Sequence, residues 1–160
     1  MKTKLAAGAA AGVAIVVLAS VGAAAAIPAA KDWYQGHHDQ TSQYATGAEA
    51  KADRASVPRW LPDDAREIRY AMRTTGGDRL LKATLPTGKL PSECTALPSG
   101  TRAKEPNLSA SWFPGTGTGF GKDAGRAAQA RCGLYYAYTD GGTLYAWQDN
   151  DDWINGNKAG

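Results

Sequence analysis

Residues 5–30 carry no charged side chain, directly after the basic start Met1-Lys2-Thr3-Lys4 and directly before Lys31-Asp32-Trp33-Tyr34. A bilayer core is about 30 Å thick, and a helix rising about 1.5 Å per residue needs roughly 20 apolar residues to cross it. The 26 positions of this run are enough, with some tilt. A secretory apolar region is usually only about 7–15 residues, so the length predicts an uncleaved signal-anchor helix. Trp33 and Tyr34 then fall at the membrane interface, and Lys2 and Lys4 hold the N-terminus in the cytoplasm, which places the C-terminal part outside. The alternative is a cleaved signal peptide. The strongly apolar stretch is only residues 13–21, Ala24-Ala25-Ala26 fits a small-x-small cleavage site, and Pro28-Ala29-Ala30 offers a poorer one. The first reading gives a single-pass cell-membrane protein and the second a secreted one; both put the remainder beyond the cytoplasm. A buried helix of a soluble domain fits badly, because no polar position marks a solvent face.

Residues 31–56 read as a polar juxtamembrane linker, with a frayed helix or spacer over 47–55 where helix formers gather without an apolar stripe. Residues 57–153 read as one domain, large enough for a single modest core, and 154–160 as a tail within a stretch that is polar from Asp149 onward. The net charge of +3 includes Lys2 and Lys4, so the exported part carries 16 basic and 15 acidic side chains. That balance gives no electrostatic case for nucleic-acid binding. Arg59, Arg66, Arg69, Arg73, Arg79 and Lys82 gather early, with Asp63, Asp64, Glu67 and Asp78 interleaved, which predicts a solvated, salt-bridged face.

The domain's element pattern predicts an α+β fold: an N-terminal transmembrane helix (or signal peptide), then a small antiparallel β-rich domain of hairpins. Residues 67–74 alternate Ile68, Tyr70 and Met72 against Glu67, Arg69 and Arg73, the period of a half-buried strand. Thr75-Gly76-Gly77-Asp78 turns the chain and residues 79–85 return. The middle, 87–131, is mostly loop, with a short strand expected at 108–113 and a short helix at 122–130. Residues 132–139 form an aromatic strand, Asp140-Gly141-Gly142 a turn, and 143–148 its partner. Cys94 and Cys132 lie outside the cytoplasm, where pairing is favoured; a bridge closing a 38-residue loop contributes roughly 4 kcal/mol by chain entropy. The alternative is two buried thiols.

Candidate chemistry is sparse. The glycines of 115–121 alternate, so the third glycine of G-x-G-x-x-G is missing, and Asp123 stands where a P-loop needs Ser or Thr. His37-His38-Asp39 has no further His or Cys ligand nearby, and Asp149-Asn150-Asp151-Asp152 lacks the glycine and distal glutamate of a calcium loop. Asp63-Asp64 fits a turn or helix cap, and Asn107-Leu108-Ser109 is a chance-level sequon. No histidine lies in 57–153 to activate a serine or cysteine. The expectation is therefore no catalytic residue, no metal and no cofactor. A carboxylate-dependent hydrolase, which needs no sequence motif, is the least favoured reading. Tyr135, Tyr145 and Trp147 are the candidate ligand-binding residues: an aromatic hairpin that stacks sugars of a cell-wall glycan if half its rings face solvent. The leading expectation is a non-catalytic module that contacts a neighbouring membrane or envelope protein.

Val57-Pro58-Arg59-Trp60-Leu61-Pro62-Asp63-Asp64-Ala65, the Ile68 strand, one cysteine per half and the closing Leu144-Tyr145-Ala146-Trp147 carry a resemblance. Over residues 57–147 the chain resembles a family of small, uncharacterised membrane-anchored or exported proteins of actinobacteria. The resemblance implies the same extracytoplasmic address and assigns no residue a role.

Overall fold

The computed structural model describes residues 38–101, 103–114 and 128–158. The expected membrane segment, Trp33, Tyr34, His37 and most of the helix expected at 122–130 lie outside them. No helix among the described residues is long and apolar enough to cross a membrane.

Seven antiparallel strands form one sheet in the order β1-β2-β3-β7-β6-β5-β4. They are β1 (Asp39–Thr46), β2 (Arg66–Arg73), β3 (Arg79–Thr84), β4 (Thr95–Ala96), β5 (Ala130–Cys132), β6 (Tyr135–Asp140) and β7 (Thr143–Gln148). Two helices accompany them, α1 (Gly47–Asp53) and α2 (Asn150–Lys158). The β2–β3 and β6–β7 hairpins stand where the sequence places them. Each is built on period-two alternation, and the second turns on Gly141 and Gly142 at φ 56° and 83°, the paired positive φ of a type I′ turn.

Five expectations are corrected. Residues 31–56 are not all linker: β1 pairs along β2 from Asp39↔Arg73 to Thr46↔Arg66. The helix at 47–53 is firm rather than frayed, because Thr46 Oγ1 accepts from Glu49 N at 3.2 Å and Glu49 Oε2 accepts from Ala45 N at 3.0 Å. These two bonds at the helix start, the second to the residue before the N-cap, and the full burial of Ala50 replace the missing apolar stripe. The aromatic strand expected at 132–139 is two strands, because Gly133 at φ 60° opens a two-residue turn that pairs Cys132 with Tyr135. Residues 108–113 are not a strand; Leu108 and Phe113 are buried as a loop over the sheet. The end of the chain is α2 rather than a plain tail.

Both faces of the sheet are covered. On the first, Ile68, Tyr70, Leu81, Ala83, Cys132, Tyr135, Leu144 and Ala146 pack against Ala50, Val57, Leu61 and Ala65. On the second, Ala71, Leu80, Tyr138 and Trp147 pack against Leu108, Phe113 and Ala128. The Cys94–Cys132 disulfide is formed and ties the loop after β3 to β5 on the first face. Helix α2 lies on two hairpin turns. Asn150 Oδ1 accepts from Gly77 N at 2.7 Å, Gln148 Nε2 donates to Gly77 O at 2.6 Å, and Gly156 lies against Leu134.

A Cβ at Gly77 would overlap the Cβ and ring of Trp153, so glycine is required there by space. Gly77→Ala is expected to lift α2 and cost about 1–3 kcal/mol in urea unfolding, as overpacking does. Replacing both Cys94 and Cys132 by Ala is expected to cost about 2–4 kcal/mol in the same assay.

Candidate functional site

Alternation along β6 and β7 decides where each aromatic ring goes. Tyr135 falls on the first face; Tyr136, Tyr138, Tyr145 and Trp147 fall on the second. Tyr135 is 5% exposed and meets Trp60 edge-on, ring centres 5.6 Å apart. Burial, followed by the neighbouring Tyr70 hydroxyl, pushes its phenol well above the ordinary value, so it stays protonated. Trp147 is 1% exposed, donates from Nε1 to Lys104 O at 2.9 Å and lies beneath Phe113. The expected platform of Tyr135, Tyr145 and Trp147 is therefore not assembled: Tyr135 is turned away from the other two, and a loop covers Trp147.

Tyr145 alone of the three is half-exposed. It stacks on Tyr138 at 5.1 Å and 23°, meets Phe113 edge-on at 5.8 Å, and has Lys82 Nζ 5.6 Å over its ring centre. The register extends this contact into a row across five strands, Gln43↔Arg69↔Lys82↔Tyr145↔Tyr138. Arg69 and Lys82 are direct cross-strand neighbours, with Cβ atoms about 5 Å apart, an arrangement in which like charges repel.

The acids interleaved in sequence do not relieve that repulsion. Glu67, at φ 52° in the β2 bulge, accepts from Thr84 Oγ1 at 2.8 Å; Asp78 accepts from Asn107 N at 2.9 Å; Asp63 pairs with Lys51. Arg73 pairs instead with Asp39 at 2.9 Å, and Arg79 Nη1 donates to the carbonyls of Arg73, Gly76 and Asp78. Among the described residues no carboxylate lies within ion-pair distance of Arg69 or Lys82. The salt-bridged face expected from spacing is thus corrected: the acids serve backbone, hydroxyl and remote cations, and Arg69 and Lys82 are left as cross-strand partners with no acid at ion-pair distance.

A second polar cluster joins α2 to the sheet. Asp152 accepts from Lys104 Nζ at 2.9 Å and from Arg131, whose guanidinium lies 3.9 Å over the Tyr136 ring; Tyr136 in turn stacks on Trp147. Asp149 caps α2, its Oδ1 accepting from Asp152 N at 3.0 Å. Asp149 Oδ2 and Arg131 Nη1 are buried without a partner. Burial raises the Asp149 carboxyl above its usual 3.8. Burial also acts to raise Asp152, but hydrogen bonds from Lys104 and Arg131 outweigh it and hold that carboxyl below 3.8. The bond to Asp152 raises the Lys104 ammonium above 10.5. Two carboxyls with split acidity resemble an acid–base pair. Here, though, one is a helix cap only 4% exposed and the other is committed to two cations, so the pair fastens α2.

The sheet ends on β1. Thr74 N donates to His38 O at 2.7 Å, so even-numbered backbone groups of this strand face β2 and odd-numbered ones face outward. The outward N–H of Ala45 is taken by Glu49. Asp39, Thr41 and Gln43 present an open edge whose side chains from 40 to 45 are uncharged. The opposite edge, β4, is two residues long. The edge hides in the sequence because a strand half open to water carries few apolar residues; the Thr46-x-x-Glu49 cap signal is what could have located its end.

No family model, characterised protein or solved structure matches the chain.

The two carboxyls predict opposite pH behaviour. Asp152, lowered, contributes stability that is present above 3.8 and lost as the pH falls through its folded value; Asp149, raised, weakens the fold as the pH rises from 3.8 through its own. Asp152→Asn is expected to cost about 1–2 kcal/mol at pH 7, part of the Lys104 share being screened by solvent, and less near pH 2. Asp149→Asn keeps a capping side chain and is expected to be neutral or stabilising at pH 7. Urea unfolding at the two pH values reads both.

Proposed function

We propose that this chain is a single-pass cell-membrane protein whose extracytoplasmic domain is a non-catalytic interaction module, docking an extended segment of a neighbouring envelope protein along β1. The address rests on the uncharged run 5–30, and the formed disulfide is in keeping with an oxidising compartment. The edge carries the docking. Exposed edge strands are ordinarily blunted by lysine, proline, bulges or shortness. The β4 edge is short, whereas β1 is eight residues long and has no lysine or proline. Pairing there adds a strand to the sheet through main-chain hydrogen bonds, with Thr41 and Gln43 supplying outward donors and acceptors. An enzymatic reading has less support, since the Asp149–Asp152 carboxyl pair is committed to fastening α2.

Proline at an outward position removes a donor from the edge and leaves the β1–β2 ladder intact. A photo-crosslinker at Gln43, in the full-length chain in membranes, is expected to yield one discrete adduct with another envelope protein. Thr41→Pro should abolish it while the melting temperature stays within a few degrees. An adduct that persists in Thr41→Pro, or one of twice the chain's own mass, would sink this reading.

A further inference from the structure

We propose that Arg69, Lys82 and Tyr145 form a binding site for an acidic glycan, a sugar chain carrying carboxylate or phosphate groups, laid along the open row of the second sheet face. Three observations converge on that ligand. Arg69 and Lys82 stand directly opposite each other across β2 and β3 with no acid at ion-pair distance. An anion seated between them turns a repulsive pair into two charge-assisted hydrogen-bond donors, with the guanidinium fork suited to two oxygens of one acid group. Tyr145 is the next residue of the row, half-exposed, and held by Tyr138 and Phe113 on its other sides. A sugar packs its C–H face on such a ring. Gln43, on the far side of Arg69, ends the row with an exposed amide able to bond hydroxyls.

The same observations separate a glycan from other polyanions. The exported part carries 16 cations against 15 anions, so it has no broad basic field to hold a nucleic acid or a lipid surface. Arg73, two rows away on the same face of β2, is already neutralised by Asp39. Recognition is local, two charges and one ring, which matches a single acidic sugar unit. Lys82 makes the site responsive: without ligand its ammonium lies over Tyr145, and the ligand's acid draws it towards Arg69 and uncovers the ring.

The site depends on the extracytoplasmic reading only for where its ligand is met, and of β1 it uses the Gln43 side chain and none of the outward main-chain groups. The test is titration of the full-length chain, at 0.15 M salt, with dextran phosphate, polygalacturonate, plain dextran, and vesicles of phosphatidylglycerol and phosphatidylcholine. Saturable binding of at least one acidic glycan is expected, at least tenfold tighter than plain dextran. Arg69→Gln and Lys82→Gln should each weaken it tenfold or more, and Thr41→Pro should leave it unchanged. Tyr145→Leu should weaken it similarly; if that variant unfolds, Tyr145 ring proton shifts on titrating the unmodified chain replace it. Binding of neither acidic glycan, binding to vesicles alone, no loss in Arg69→Gln, or an undisturbed Tyr145 ring would each overturn the proposal.

Discussion

The pairing of β3 with β7 holds the domain together. β1, β2 and β3 form one half of the sheet, β4 to β7 the other, and the strand pairing that joins them is the register from Arg79↔Gln148 to Thr84↔Thr143. Both strands are buried on both faces, through Leu80, Leu81 and Ala83 on one and Leu144, Ala146 and Trp147 on the other. Such a long-range pair requires closing a long loop, and the Cys94–Cys132 bridge removes 38 residues of separation from that loop. The disulfide and the central pairing therefore act on the same entropic cost.

The two cores follow from that pairing. A sheet buried on both faces needs a cover on each side, and the chain supplies two of different kinds. The first is α1 with the Val57–Leu61 segment, set by the Thr46 and Glu49 bonds at the helix start and by Gly47, where a Cβ would overlap Pro62. The second is an irregular loop carrying Leu108 and Phe113. Among the described residues this second cover stops short of the strip between Tyr145 and β1, where Arg69 and Lys82 lie with no acid at ion-pair distance. The open face and the open edge are both places the covers do not reach, and that is why the functional readings concentrate on them.

Much of the fold was legible. Ile68-Tyr70-Met72 alternation, Gly141-Gly142 and the two cysteines point to the hairpins and the bridge by local rules that hold without knowledge of neighbours. The candidate site was legible only in pieces. Tyr145 was visible as a member of an aromatic strand, but alternation alone does not say which face a loop will cover, so Tyr135 and Trp147 looked equally available. Spacing alone predicts Arg69 and Lys82 to be neutralised, because it equates acids close in sequence with acids close in space. A strand carries neighbours to opposite faces, and Asp78 and Glu67 found other partners.

The sequence by itself determined the elements whose signals are local: the uncharged run at 5–30, the two main hairpins with their glycine turns, and an even count of cysteines after residue 30. Only the tertiary structure decided that residues 39–53 belong to the domain and that 132–139 is folded in two. It also decided which aromatic ring faces water and which cations lack a counter-charge. Each of these depends on what packs against a residue from far along the chain, and backbone propensity and spacing contain no term for it.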